Sequence, residues 1–340
     1  MTRKLLLAVL ACATTATPAS AETRIVANCF TPPQHFFCKG ILKGWADEVQ
    51  RVTEGRVRVR IPAKSMAPPP EQLASVQGNV FDAAIQYNGH IADQHIGLTL
   101  SMLPFVNGSD ARANTLAFWH SYERFLADAE PFEGVQVLGV IAASGVDFYS
   151  LTAAPIESAA DIRSRKMWAL PGVTAGIIKD IGAATVSGPA VQMTEIIQRG
   201  VVDGFVGIPV SDARAFKLLP YVKSVTQTET KIFAPTFTFF ISNGKWAEIG
   251  PDDQQAIMSV SGQAFSEMAA GYYDQAETAA ATELAETADM LAASPAFEAG
   301  LAEIAAPYHD AWVEAAAARG IDARAALDFY VAAARGETAE

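Results

Sequence analysis

Residues 155–207 read PIESAADIRSRKMWALPGVTAGIIKDIGAATVSGPAVQMTEIIQRGVVDGFVG, and the order of turns, helices and strands in this stretch decides the fold class. Pro155 to Asp161 reads as a turn entering a short helix, with Ser158 as N-cap and Asp161 at the third helical position. Lys166-Met167-Trp168-Ala169-Leu170-Pro171-Gly172 predicts a short strand that runs into a Pro-Gly loop. From Gln192 a helix is expected to end at Gly200 as its C-cap, with an apolar strand following through Val201 to Val206. A strand, a helix and a further strand in that order imply a right-handed crossover and a parallel sheet.

The same stretch resembles the central region of TRAP-transporter solute-binding proteins of the dicarboxylate-binding (DctP) type. Pro155-Ile156, Asp161-Ile162, Lys166-Met167, Glu195 and Gly200-Val201-Val202-Asp203-Gly204 carry the resemblance. Thr53-Glu54-Gly55-Arg56-Val57, Leu103-Pro104-Phe105, Asn243-Gly244-Lys245-Trp246 and Ile249 to Gln254 extend it over about residues 23–290. It implies an α/β, two-lobed periplasmic-binding-protein fold, here with long Ala-rich C-terminal helices. It also implies capture of a small solute in an interlobe cleft and delivery to TRAP membrane permease subunits. Where the family places an arginine that clamps a ligand carboxylate, this chain has Trp168.

Residues 1–21 carry the marks of a cleavable export signal. Arg3-Lys4 is basic, Leu5 to Ala13 is apolar, and Ala19-Ser20-Ala21 forms an A-x-A site. The apolar run falls short of the ~18 residues of a membrane span, so the mature chain is expected in the periplasm. Cys12 offers a weaker, competing lipoprotein site. The 340 residues are 50% hydrophobic and 18% charged, with a formal net charge of −12. Without Arg3 and Lys4 the 25 basic residues become 23 against 37 acidic ones, a net −14. That balance argues against nucleic acid and anionic membranes as partners, and the chain is expected to be a monomer. Cys29 and Cys38 remain after cleavage, and an oxidising compartment favours a disulfide over two buried thiols. His35, His90, His95, His120 and His309 show no zinc-ligand spacing, so neither a metal site nor a cofactor is expected.

The mature chain is expected to open with a strand at 24–27, a helix at 39–53 and an alternating strand at 57–61. A helix at 70–77 should lead through Gly78 into a strand at 80–85, followed by a helix at 111–127 and a strand at 135–140. Residues 144–152 and 232–237 are expected to cross between lobes, and residues 253–335, rich in Ala and Glu, to be helical. Lobe 1 then comprises 22–145 with 235–265 returning to it, lobe 2 comprises 146–234, and residues 266–340 are C-terminal helices packing across both.

No G-x-S-x-G, H-E-x-x-H, G-x-x-x-x-G-K-[ST] or G-x-G-x-x-G motif occurs, so an enzyme is the minor reading, and a binding protein feeding a sensor is a further alternative. In a two-lobed α/β protein the solute lies beyond the carboxyl ends of the strands. The candidate ligand-binding residues are therefore Gln34, Tyr87, Asn88, Asp147, Tyr149, Trp168, Pro209 and Phe237. No arginine lies between 135 and 162, while Arg163 and Arg165 read as solvated turn residues. With Trp168 at the clamp position and Asp147 on the crossing strand, the expected ligand is a small amine or organic cation. Trp168 and Asp147 would hold it, with Tyr87, Tyr149 or Phe237 closing an aromatic box. The alternative is an aromatic carboxylate stacked on Trp168.

Overall fold

The computed structural model describes residues 22–108 and 110–337, so the signal segment and Cys12 lie outside the described residues. Eleven strands follow one another among them. They are β1 (Thr23–Asn28), β2 (Val57–Arg60), β3 (Ala83–Tyr87), β4 (Val135–Ala142), β5 (Phe148–Ser150), β6 (Lys166–Ala169), β7 (Ala184–Ser187), β8 (Gly204–Val206), β9 (Ser224–Gln227), β10 (Thr236–Ser242) and β11 (Asp289–Ala292). They form two sheets, one ordered β2-β1-β3-β10-β4 and the other β11-β9-β5-β8-β6-β7. Each sheet is the centre of one lobe.

In each sheet one strand runs against all the others and marks a crossing. In the first sheet β1 runs parallel to β2 and β3, whereas β10 runs antiparallel to β3 and β4. In the second, β6 is parallel to β7 and β8, whereas β5 is antiparallel to β8 and β9. The chain thus leaves lobe 1 after β4, enters lobe 2 as β5, and returns as β10. The two crossings run side by side, the amides of Ala143 and Val146 donating to the carbonyls of Pro235 and Phe233, both at 2.9 Å.

The parallel β6–β8 pair rests on the local signals in 155–207. Ser158 Oγ accepts the Asp161 amide at 3.2 Å and starts the helix Ala159–Arg163, and Gly200 takes φ +62°. Here the structure adjusts the expected elements. The strand begins at Gly204, not Val201, because Val201 stays exposed outside the sheet. A further strand, β7, pairs along the outer edge of β6. In the first lobe Val80 is likewise exposed, Asn79 has φ +57°, and β3 starts only at Ala83. Arg165, read as solvated, is buried: its guanidinium donates to Ser150 Oγ at 2.7 Å and to the carbonyls of Ala154 and Pro155 at 2.8 and 2.7 Å.

The C-terminal region is helical over Gln263–Ala285, Pro295–Ala317 and Ala323–Ala334, but it is interrupted by β11, which extends the second sheet through β9. Helix Gln263–Ala285 packs on lobe 1 through Phe265, stacked on Phe239 at 4.8 Å. Close approach is possible because Gly139 carries no side chain; a Cβ there would meet the Phe265 ring at 2.5 Å. Helix Pro295–Ala317 touches both lobes. Tyr308 Oη donates to Asp180 Oδ2 at 2.6 Å, while Trp312 Nε1 donates to the Ile96 carbonyl at 3.1 Å. Among the described residues no helix is long and apolar enough to cross a membrane.

Candidate functional site

The carboxyl ends of parallel strands from both sheets converge on one cavity, the position that α/β sheets give to ligands. From lobe 1, the loop after β1 supplies Phe30, Thr31 and Phe37, the end of β3 supplies Tyr87, and the start of β10 supplies Phe237. From lobe 2, Leu170 follows β6, Ile208 follows β8, and helix Val210–Ala215 adds Asp212 with Phe216 just beyond it. The wall is chiefly aromatic. Phe37 meets Phe237 edge-on at 4.8 Å, Phe30 stacks along Phe237 at 6.5 Å, and Tyr87 tilts against Phe237 at 5.7 Å. Offset and edge-on contacts of this kind favour a further planar ring as guest. Among the described residues neither lysine nor arginine lines the cavity.

A disulfide fixes the lobe 1 loop. Cys29 and Cys38 are bonded with their Cα atoms 5.7 Å apart, so Phe30, Thr31, His35 and Phe37 all belong to one closed ring of chain. Two contacts tie this side to lobe 2. Tyr87 Oη donates to the Pro171 carbonyl at 3.0 Å, and His35 Nε2 lies 2.9 Å from Asp212 Oδ1. The cavity between them measures about 40 Å³. That is well under the ~150 Å³ in which a benzene ring is accommodated, so the cavity as it stands is narrower than a ring-bearing molecule needs. Burial raises the Tyr87 phenol well above its ordinary value and lowers that of His90, which lines the same cavity.

The structure brings together only part of the expected set. Tyr87 and Phe237 line the cavity. Trp168 is fully buried on the same face of β6 as Leu170, one pleat repeat below the cavity floor, with Val186 and Phe205 as its cross-strand neighbours. Its Nε1 has no hydrogen-bond partner. Tyr149 stacks on Phe205 at 4.3 Å in that same buried row. Asn88 is spent on lobe 1 itself, donating to Thr236 Oγ1 at 3.1 Å and accepting from Thr238 Oγ1 at 2.8 Å. Gln34 points to solvent, and Pro209 caps the helix Val210–Ala215 without lining the cavity.

Asp147, expected to face the ligand, does not line this cavity. It accepts from Lys231 Nζ at 2.7 Å and from the Thr228 amide at 3.3 Å. With Tyr149, Lys231 and Glu277 it borders a different cavity of about 150 Å³ beside the crossings. Burial pushes the Asp147 carboxyl above its ordinary value even though Lys231 pulls the other way. Glu277 is raised mainly by burial, with the Asp212 charge adding to it. Of the expected box of Asp147 and Trp168 closed by Tyr87, Tyr149 or Phe237, this cavity gathers Tyr87 and Phe237, together with Phe30, Phe37 and Phe216. Asp212 and Phe216, which line the cavity, were not among the expected residues, because a short helix after a strand carries no distinguishing sequence mark. Their one signal is position, directly beyond the end of β8.

Residues 28–315 match the family described as bacterial extracellular solute-binding protein, family 7 (DctP). A Comamonas testosteroni protein described as outer membrane transporter protein TsaT is 36% identical over 333 residues, covering 98% of each chain. A Bordetella bronchiseptica TRAP periplasmic solute-binding protein solved with (R)- and (S)-mandelate superposes with a TM-score of 0.87. It is 25% identical and covers 93% of this chain and 100% of its own. A marine metagenome TRAP solute-binding protein solved with 3-hydroxybenzoate superposes with a TM-score of 0.85 at 22% identity, covering 94% and 100%.

Proposed function

From a chain that belongs to the DctP family of TRAP solute-binding proteins, whose fold is that of binding proteins and not of enzymes, we infer a solute that is a small aromatic acid. The observation that carries this reading is the wall of five aromatic side chains drawn from both lobes. The mandelate-binding relative adds support, being similar over its whole length. The ring would stack among Phe30, Phe37, Phe216 and Phe237. Its carboxylate would meet donors such as the Thr31 hydroxyl and the His90 ring, since among the described residues no lysine or arginine lines the cavity. In this proposal the mature protein acts in the periplasm as a monomer. Lobes 22–145 with 235–265, and 146–234, part and close about the crossings at 144–150 and 232–237, and the closed form presents the solute to the membrane permease.

A second reading keeps an amine as solute, with Asp212 in the role first given to Asp147. Asp212 is the carboxylate that lines the cavity, and a desolvated cation against aromatic faces gains about 2 kcal/mol. Titration calorimetry of the mature protein with benzoate, mandelate, succinate and benzylamine separates the two. The aromatic-acid reading expects one-to-one binding of benzoate or mandelate, recovery of the acid unchanged, and no heat from succinate. Binding of benzylamine with both aromatic acids ignored would replace it with the amine reading.

A further inference from the structure

We propose that Asp212 selects the solute: the pocket takes aromatic acids that carry a hydrogen-bond donor on the ring, and Asp212 accepts that bond. The inference rests on the aromatic-acid reading above and adds to it the chemistry of the ring substituent. Asp212 lies in the first turn of helix Val210–Ala215, is 6% exposed and lines the cavity.

The environment of His35 determines what Asp212 offers. The Phe37 amide donates to His35 Nδ1 at 3.2 Å, which makes Nδ1 the acceptor and assigns the ring proton to Nε2. Nε2–H then donates to Asp212 Oδ1 at 2.9 Å. Phe36, Phe37 and Phe216 hold the imidazole at ring separations of 4.5, 5.2 and 5.2 Å, so it cannot turn to serve another partner. On the other oxygen, Tyr273 Oη reaches Oδ2 only at 3.3 Å. A carboxylate has about four acceptor sites, and here one is filled at ordinary length. The Tyr87 hydroxyl is engaged by the Pro171 carbonyl and gives Asp212 nothing.

A bare or methylated ring closed into this cavity would bury the free acceptor capacity of Asp212 without a partner, and that desolvation is what a selective site exploits. A ring hydroxyl supplies the missing donor. The solute's own carboxylate is repelled by Asp212, so acid and donor occupy opposite ends of the bound ring.

The test is titration calorimetry of the mature protein with 2-, 3- and 4-hydroxybenzoate against 2-, 3- and 4-methylbenzoate, in wild type and in Asp212→Asn. At least one hydroxybenzoate is expected to bind wild type about tenfold or more tighter than its methyl partner. In Asp212→Asn the hydroxyl exchanges a charge-assisted bond to a carboxylate for a neutral one with the amide, so that ratio is expected to fall at least severalfold. The wild-type ratio stands as a test whether or not the variant folds. Methyl partners that bind wild type as tightly as hydroxybenzoates overturn the proposal, as does a hydroxyl preference that is undiminished in Asp212→Asn. Failure of both series to bind overturns the aromatic-acid reading itself, and the selection with it.

Discussion

Lys231→Met is expected to destabilise the protein by about 3–5 kcal/mol in urea denaturation, the cost of leaving a buried charge without its partner. Asp147 and Lys231 are 9% and 7% exposed, and their 2.7 Å contact joins the outgoing crossing to the returning one. The Lys231 stem lies against Gly145, where a Cβ would come within 2.0 Å of Lys231 Cγ, so the pair is seated in space left by a glycine. The segment on the far side is also fixed: Lys231 N donates to the Asn107 carbonyl at 3.1 Å, and its own carbonyl accepts from Phe105 N at 3.0 Å. The double variant Asp147→Asn/Lys231→Met removes both charges and is expected to recover most of the loss. Equal destabilisation in the single and double variants would show that packing of the lysine stem, and not charge pairing, holds the crossings.

Removing the disulfide should affect both stability and binding. Cys29→Ser/Cys38→Ser opens a loop with a sequence separation of 9, for which lost chain constraint costs about 2–3 kcal/mol. That loop carries Phe30, Thr31 and Phe37 of the cavity wall and the His35 bridge to Asp212. An ordering cost absent from the oxidised protein would then fall on the binding step, so affinity for the best aromatic acid is expected to drop by at least about tenfold. Calorimetry on the variant, and on wild type with and without thiol reductant, measures this. An unchanged affinity in a folded, reduced protein would mean that packing alone shapes the wall.

Those two residue pairs also show what a single sequence discloses. The Ser158 cap, strand β6 and the parallel β6–β8 pairing depend on neighbours within a few residues or on strand order, and all were legible. Tyr87, expected on the ligand side from its place at the end of β3, lines the aromatic cavity. What Asp147 does was not legible, because its partner stands 84 residues away and nothing local distinguishes a paired aspartate from a free one. Trp168 illustrates a subtler limit. Strand parity puts it on the same face as Leu170, but one pleat repeat separates a cavity wall from a buried core row. Arg165 likewise turned inward to bind carbonyls of the 154–155 turn, a role fixed by tertiary packing that no turn propensity expresses.

The central claim, that a small aromatic solute is held between the lobes by the wall around Phe237, is tested most directly by a crystal structure of the mature protein grown with its best-binding aromatic acid. The expected result is one molecule with its ring among Phe30, Phe37, Phe216 and Phe237 and its substituent toward Asp212. Density for the acid beside Asp147, Tyr149 and Glu277, with the aromatic wall closed on itself, would contradict the account.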